Sequence, residues 1–320
     1  MSVAQHFLLA AEAHTLSLKA IYKGGEDQAY ATFRRMRWPE TEGAPVCPRC
    51  GGLNAYEITT RRKFKCRACG HQFSVTSGTI FASRKMAFVD LCGAICIFVN
   101  AVKGLSALQL SRDLSVQYKT AFVLAHKLRE ALAAEAEGLR LSGEVEIDGL
   151  YTGGTVRPEN RKEDRKDRRL KANLSDQRRV VIAMRERGGR TLTFVGKREA
   201  EGVALARQHV ERGSKVYADE ATHWDDLDAI FPGAGRINHS EAYSADGANT
   251  NQAESFFSRL RRMLVGQHHF VSARYLYQYA AEAAWKEDRR RLSNGEAFHR
   301  TIRLAMASPV SRTWKGYWGD

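Results

Sequence analysis

Long hydrophobic runs are missing from this chain. The longest, LCGAICIFV at 91–99, is far short of the roughly 20 apolar residues that span a bilayer. The opening FLLAA has no basic flank and soon meets Glu12, so no signal peptide is expected. Both absences point to a cytoplasmic protein with no membrane-embedded part. Cysteine is scarce too, with six in 320 residues, and disulfides are rare in the cytoplasm. The six thiols are therefore read as metal ligands or as core. Acidic residues fall short of basic ones, 36 against 50, for a formal charge of +14. That excess fits a polyanionic partner, nucleic acid or an anionic membrane surface. No internal repeat and no low-complexity tract is visible. The remainder is ordinary: 43% hydrophobic residues, over a length suited to two or three domains.

Four of the cysteines stand in CPRCGGLNAYEITTRRKFKCRACGHQF, from Cys47 to Phe73. Cys47, Cys50, Cys66 and Cys69 form two C-x-x-C pairs separated by fifteen residues. A two-residue gap lets two thiolates of one tight turn face a single ion. Two such knuckles supply four tetrahedral ligands, the arrangement of a structural zinc site. One Zn2+ per chain is expected, since a redox C-x-x-C needs only one pair. Gly51 and Gly70 follow the knuckles, where a turn can require positive φ. RRKFKC reads as a strand. Cys92 and Cys96, four apart in an apolar helical stretch, are expected in the core. Arg61, Arg62, Lys63, Lys65 and Arg67 give the ribbon a basic face, suited to nucleic acid or simply solvated.

Residues 5–36 are patterned mostly as helix. After the ribbon, FVDLCGAICIFVNAVKGLSALQLSRDLSVQYKTAFVLAHKLREAL gives three helical segments. The second runs roughly from Ser106 to Leu114. The third, Tyr118 to Ala131, carries Lys119, His126, Lys127 and Arg129. A short helix, a tight turn and a longer basic helix form a helix-turn-helix pattern, a pattern that plain helical hairpins share. Lys119 and Lys127 are its candidate DNA contacts. AEAEGLRLSG reads as a linker, and the texture then changes. EVEIDGLYTGG, RVVIAMRER and TLTFVGKRE read as strands, the last two joined as a hairpin at Gly188 and Gly189. A helix, a strand at KVYADE, a helical THWDDLDAIF, a possible strand at GRINHS and a helix at NTNQAESFFSRLRRMLVG follow. Asn249 or Thr250 is available to cap the last helix. The order is that of a mixed α/β domain. Between its first two strands lies Arg157–Arg179, which is too polar to pack. It is either a solvated loop or a DNA-contacting insertion, in which Arg165, Lys166, Arg168 and Arg169 would neutralise phosphates.

Three acids fall at element ends: Asp148 at the end of the first strand, Asp219 at the end of the fourth, and Glu254 in the first turn or two of the last helix. Adjacent strand ends can set the two aspartates side by side, and the helix can bring the glutamate across. Hard oxygen ligands in one cleft suit Mg2+. Two such ions about 3.5–4 Å apart serve phosphoryl transfer. Each acid taken alone also fits an ordinary surface or capping role.

The motifs RMRWPE, CPRCGG, KCRACGHQFSVTSGTIF, EIDGLYTGG, VYADE, INHS and NTNQAESFFSRLRR together resemble bacterial insertion-sequence transposases of the ISXO2-like type. These join an N-terminal zinc ribbon to a DDE, ribonuclease-H-like catalytic domain, and the likeness covers about residues 27 to 290. It implies a multidomain fold: a helical segment (1–42), a zinc ribbon (43–82), a helix-turn-helix-like DNA-binding domain (83–140), a mixed α/β ribonuclease-H-like domain (141–295) and a tail (296–320). It further implies that Asp148, Asp219 and Glu254 are the catalytic triad, holding two Mg2+ or Mn2+. The thirty-five residues from Asp219 to Glu254 match the spacing common in that superfamily. His239, Asn251 and Arg261 take supporting or phosphate-contacting places. The implied activity is binding of terminal inverted repeats, cleavage to expose a 3′-hydroxyl, and joining of that hydroxyl to target DNA. A homodimer or larger synaptic assembly would hold two ends. Two departures stand out. Many relatives have glutamate where this chain has Gly149, and lysine where it has Arg261, and a guanidinium does not replace an ammonium atom for atom. Two other readings remain at this stage: a DNA-binding regulator or domesticated derivative whose acids are structural, and a ribonuclease acting on RNA–DNA hybrids.

Overall fold

Ser17 opens the first helix. Its side chain accepts the Ala20 N–H and caps α1 (Leu18–Arg37), which breaks stride at Gly25, φ 68°. In the computed structural model, residues 7–154, 159, 161–167, 170, 173, 175–237 and 249–317 are described. The chain divides into two compact units, one holding residues up to 135 and from 289 onward, the other 136–288. In the first unit the ribbon strands β1 (Ala55–Ile58), β2 (Lys63–Cys66) and β3 (Gln72–Phe73) pair antiparallel in that order. Phe64 and Phe73 turn inward, and the Trp38 ring at the end of α1 meets them edge-on at 5.6 and 6.3 Å. The ribbon is thus packed onto α1 by an aromatic cluster as well as by the Arg34–Glu57 ion pair.

α2 (Phe88–Asn100) is apolar nearly all round and buries Cys92 and Cys96, the core role expected of them. α3 (Ala107–Asp113) is capped by Ser106, the chain turns at Ser115 with φ 51°, and α4 (Tyr118–Ala134) follows. The basic residues of α4 do not share one exposed face. His126 and Arg129 are buried. Arg129 donates to the Leu105 carbonyl at 3.2 Å and lies over the Phe98 ring. Both fall on the stripe of Leu124, Ala125, Leu128 and Leu132 that packs inward, as helical periodicity requires. Lys119 is exposed. Lys127 is half-buried, and desolvation lowers the pKa of its ammonium.

The second unit is a five-stranded sheet. β4 (Glu144–Thr152), β5 (Arg179–Glu186) and β6 (Thr191–Gly196) form an antiparallel meander. After α5 (Glu201–His209), β7 (Lys215–Asp219) joins the open side of β4 in parallel. The one-turn α6 (Leu227–Ile230) then leads to β8 (Gly235–Ile237), which is parallel to β7. The spatial order is β6-β5-β4-β7-β8. Strand alternation divides β4 between two cores. Val145 and Ile147 pack with Ala206, Trp224 and Leu227 on one face. On the other, Leu150 packs with Phe256, Phe257 and Leu260 of α7 (Asn251–Arg261) and with α8 (Leu276–Asp288). The chain then returns to the first unit as α9 (Asn294–Ala307), opened by a Ser293–Glu296 capping box and packed on α1, α2 and α4. Most of this helix lies in residues expected to form a tail. No helix among the described residues is long and apolar enough to cross a membrane.

Candidate active site and zinc centre

The four cysteines converge. Cys47 N donates to Gly52 O while Gly51 N returns to Cys47 O, and Cys66 and Gly70 repeat the turn with His71. Gly51 and Gly70 take φ of 71° and 68°, so the left-handed conformation expected of them is present. Gly52 is glycine for space, since a Cβ there would stand 3.3 Å from Cys50 Sγ and 3.4 Å from Cys66 Sγ. Sγ of Cys47 lies 3.6 Å from that of Cys69, and Sγ of Cys50 lies 3.7 Å from that of Cys66. All four sulfurs fall within 4.8 Å of one another. A tetrahedron of Zn–S bonds near 2.3 Å needs sulfurs about 3.8 Å apart. The electrostatics also call for a cation. Although burial opposes it, the N–H groups of Arg49 and Cys50 and the adjoining thiols bring Cys47 down to about 7. Cys50, despite the Gly52 N–H, is pushed up to about 12 by the sulfurs around it. Four thiolates cannot coexist there without a metal to hold them.

The sheet sets the two aspartates level. β4 and β7 pair Glu144 with Lys215 and Glu146 with Tyr217. Continuing that register by two residues brings Asp148 opposite Asp219, on strands about 4.8 Å apart. Asp148 shares its face with Glu146 and Leu150, the face that α7 covers, and Glu254 lies in the first turn of α7. Burial first, and then the charges of Asp219, Glu199 and Glu254, push Asp148 up to about 7, against a hydrogen bond it accepts from Gly149 N–H. Asp219 accepts the Ala221 N–H at 3.2 Å, and Arg236 holds the turn behind it through the Asp219 and Ala221 carbonyls, both at 2.6 Å. Thr250 Oγ1 donates to Glu254 at 3.4 Å. The three acids are grouped electrostatically but are more open than the thiols. Among the described residues, only the cysteine group has ligand atoms all within 4.8 Å of one another. Acids that straddle two ions about 3.5–4 Å apart need not all touch one ion.

No sequence feature singled out Glu199, in the loop after β6. A Cβ at Gly149 would meet Glu199 Oε1 at 2.0 Å. Gly149 therefore leaves the room into which this fourth carboxylate reaches. His223 Nε2 lies 3.4 Å from its other oxygen. Asn251 is the exposed first residue of α7, and Arg261 is exposed two turns beyond Glu254. His239, Arg168 and Arg169 lie outside the described residues. Arg165 and Lys166 are exposed, as are Arg61 and Lys63. Arg62 instead pairs with Glu26 and Asp27 of α1, at 3.2 and 2.7 Å.

The burial of Asp148, with repulsion from the acids around it, has a measurable consequence. The folded pKa of Asp148 lies above the ordinary carboxylate value, so the native state keeps a proton that the unfolded chain releases. Stability contributed by that proton falls as pH rises from about 4 to about 7 and is gone above it. Asp148→Asn is therefore expected to stabilise residues 136–288 in Mg2+-free buffer, by on the order of 2–3 kcal/mol at pH 8 and by little at pH 4. Thermal melts of both proteins across that range measure it. A lower melting temperature for Asp148→Asn at pH 8 would contradict a cost of charging Asp148 in the folded state.

Residues 140–288 match the family model of the ISXO2-like transposase domain, and residues 24–72 match that of the transposase zinc-ribbon domain. No curated protein and no solved structure matches the chain. The two stretches cover more than half the chain and hold between them the four cysteines and the three acids. The chain therefore belongs to the insertion-sequence transposases that join a zinc ribbon to an ISXO2-like transposase domain.

Proposed function

We propose that this transposase binds the terminal inverted repeats of its own element, cuts one strand at each end and joins the freed 3′-hydroxyl to target DNA. The observation that carries this reading is the placement of Asp148 level with Asp219, with Glu254 on the helix across the same face. A three-strand antiparallel meander extended by two parallel strands supports a ribonuclease-H-like catalytic domain. Asp148, Asp219 and Glu254 would hold two divalent ions, Mg2+ or Mn2+, and the crowded carboxylates around Asp148 fit that cationic load. The ions supply charge neutralisation at the scissile phosphate and orientation of the attacking and leaving oxygens. Arg261, on the rim of α7, grips a neighbouring phosphate. Gly149 leaves space for Glu199, which adds negative charge beside the first aspartate.

The ribbon, with exposed Arg61 and Lys63, and the α3–turn–α4 pair, with exposed Lys119, would read the repeat ends as a helix-turn-helix-like module. Two chains would hold two ends in one assembly. The reading is tested with a labelled duplex carrying the inverted repeats that flank the coding region. Metal-dependent nicking at the repeat boundary and joining to a second duplex are expected. Binding without any cleavage in Mg2+ or Mn2+ would favour a DNA-binding regulator.

Phosphate contacts give a second expectation. Duplex affinity should fall steeply with salt, with a log–log slope of about −0.9 per phosphate neutralised. Replacing Arg165, Lys166, Arg168 and Arg169 with alanine should flatten that slope by about 2 to 4. Fluorescence anisotropy over a salt series reads it, and an unchanged slope would leave the segment between β4 and β5 a solvated loop.

A further inference from the structure

α7 does not cap itself. Thr250, at its N-cap position, makes no side-chain capping bond. Asn249 Oδ1 reaches the Asn251 N–H at 3.3 Å, and the next two donors of the first turn are taken by a carboxylate from the sheet. Glu146 Oε2 accepts the N–H of Gln252 at 2.8 Å and of Ala253 at 3.0 Å. Glu146 is fully buried and lies on β4 two residues before Asp148, on the same face. Its other oxygen accepts Arg187 Nε at 2.9 Å. Arg187 in turn donates to Glu144 and to the Asn249 carbonyl, at 3.0 and 3.1 Å, and lies over the Tyr217 ring. A buried carboxylate is costly unless paired and hydrogen-bonded. Here the guanidinium and the positive end of the helix compensate it. The next residue of the helix after Ala253 is Glu254.

We infer that Glu146 is a positioning residue for the catalytic triad, tying the start of α7 to β4 so that Glu254 is held in register with Asp148. This rests on the reading of Asp148, Asp219 and Glu254 as the acids that hold the divalent ions. The tie is short. One side chain links a strand residue two positions from the first acid to helix residues one and two positions from the third. Without it, the packing of Phe256, Phe257 and Leu260 still holds the helix on the sheet, and Gln252 Oε1 still accepts from Arg185 Nε and Gly188 N–H at 3.3 Å each, but those contacts reach β5 and the turn after it and do not tie the helix start to β4, the strand that carries Asp148. A helix end free to shift by an ångström is enough to misplace a ligand.

The test measures Mn2+ binding to the full chain without DNA, from the free-ion signal in electron paramagnetic resonance, beside the rate of repeat-end cleavage at saturating duplex. Glu146→Ala is expected to weaken Mn2+ binding at least tenfold and to slow cleavage at least a hundredfold, with KM for the duplex unchanged. Glu146→Gln keeps an oxygen for the two helix N–H groups but loses the charge facing Arg187. It should fall between Glu146→Ala and the native chain, and it decides alone if Glu146→Ala does not fold. Leu276→Ala, in the core behind α7, serves as the stability control. It should lower the melting temperature while leaving Mn2+ affinity unchanged. Asp148→Ala separates the two layers. If it abolishes Mn2+ binding while both Glu146 variants bind normally, the positioning role is wrong. If Asp148→Ala itself binds and cleaves normally, the reading of the site is wrong.

Discussion

Asp148→Ala, Asp219→Ala and Glu254→Ala are each expected to lower strand cleavage and joining by more than about 10²-fold, the loss that a 1 Å misplacement alone can bring, while repeat-end binding stays within about twofold. The two effects separate because they draw on different parts of the chain. The acids sit on the sheet and helix of residues 136–288, and the ribbon and α3–turn–α4 pair proposed to read the repeat ends lie in the other unit. Removing one carboxylate leaves the remaining acids unable to hold both oxygens of the displacement in line. Activity should require Mg2+ or Mn2+ and fail in Ca2+, whose larger and looser shell positions oxygens poorly. Arg261→Ala should cost only about tenfold, the price of one exposed charge-assisted phosphate contact. The assay is cleavage of a labelled repeat-end duplex by each purified variant, with binding measured in parallel. Native-level cleavage by Glu254→Ala would take the third acid out of the site.

The parts of this site that could be read from sequence are those whose signal is local. β4 and β7 announce themselves by alternation. β7 ends at Asp219, as its sequence suggests, whereas Asp148 lies in the middle of β4, which runs on to Thr152 because Leu150 continues the strand into the core under α7. The cysteine pairs need only their spacing. Glu146 is hidden in the sequence because its role depends on pairing across more than a hundred residues, and an acid inside EVEIDG reads as the polar side of an alternating strand. The opposite holds. Both faces of β4 are covered, and the acid is buried as the cap of α7. Local rules point to Asn249 and Thr250, immediately before the helix; Asn249 Oδ1 does reach the Asn251 N–H, but the next two donors go to Glu146. Glu199 escaped for a similar reason. It lies in a short polar loop with no spacing to mark it, and only the missing side chain at Gly149 gives it a place. The count of basic residues on α4 does not tell which are exposed: Lys119 is, and His126 and Arg129 are not. Arg129 buries its stem and pays for its charge with a carbonyl and a ring.

Loss of the zinc site should have the other large effect. Cys66→Ser is expected to reduce bound zinc from one ion per chain to none, and to unfold the ribbon. Cys66 is almost fully buried and ends β2, and its amide closes the second knuckle on His71. Serine there presents a poorer ligand and leaves three thiols crowded without a cation. For small zinc modules the metal supplies about 10–16 kcal/mol of apparent binding energy that is also folding energy, more than three short strands recover from packing. The damage should spread beyond residues 43–82. Phe64 and Phe73 form an aromatic cluster with Trp38 at the end of α1, so an unfolded ribbon exposes that ring and frees Arg34 and Arg62 from Glu57, Glu26 and Asp27. Residues 136–288 form a separate compact unit with two cores of their own and should keep their transition. Elemental analysis counts the zinc, the difference in tryptophan fluorescence between Cys66→Ser with and without a Trp38→Phe change isolates Trp38 from the other four tryptophans, and limited proteolysis locates the opened segment. Early cuts are expected between Gly43 and Ile80, with the sheet fragment surviving. A Cys66→Ser protein that retains a full zinc ion, or whose Trp38 signal is unchanged, would show that the four sulfurs do not hold the ribbon together.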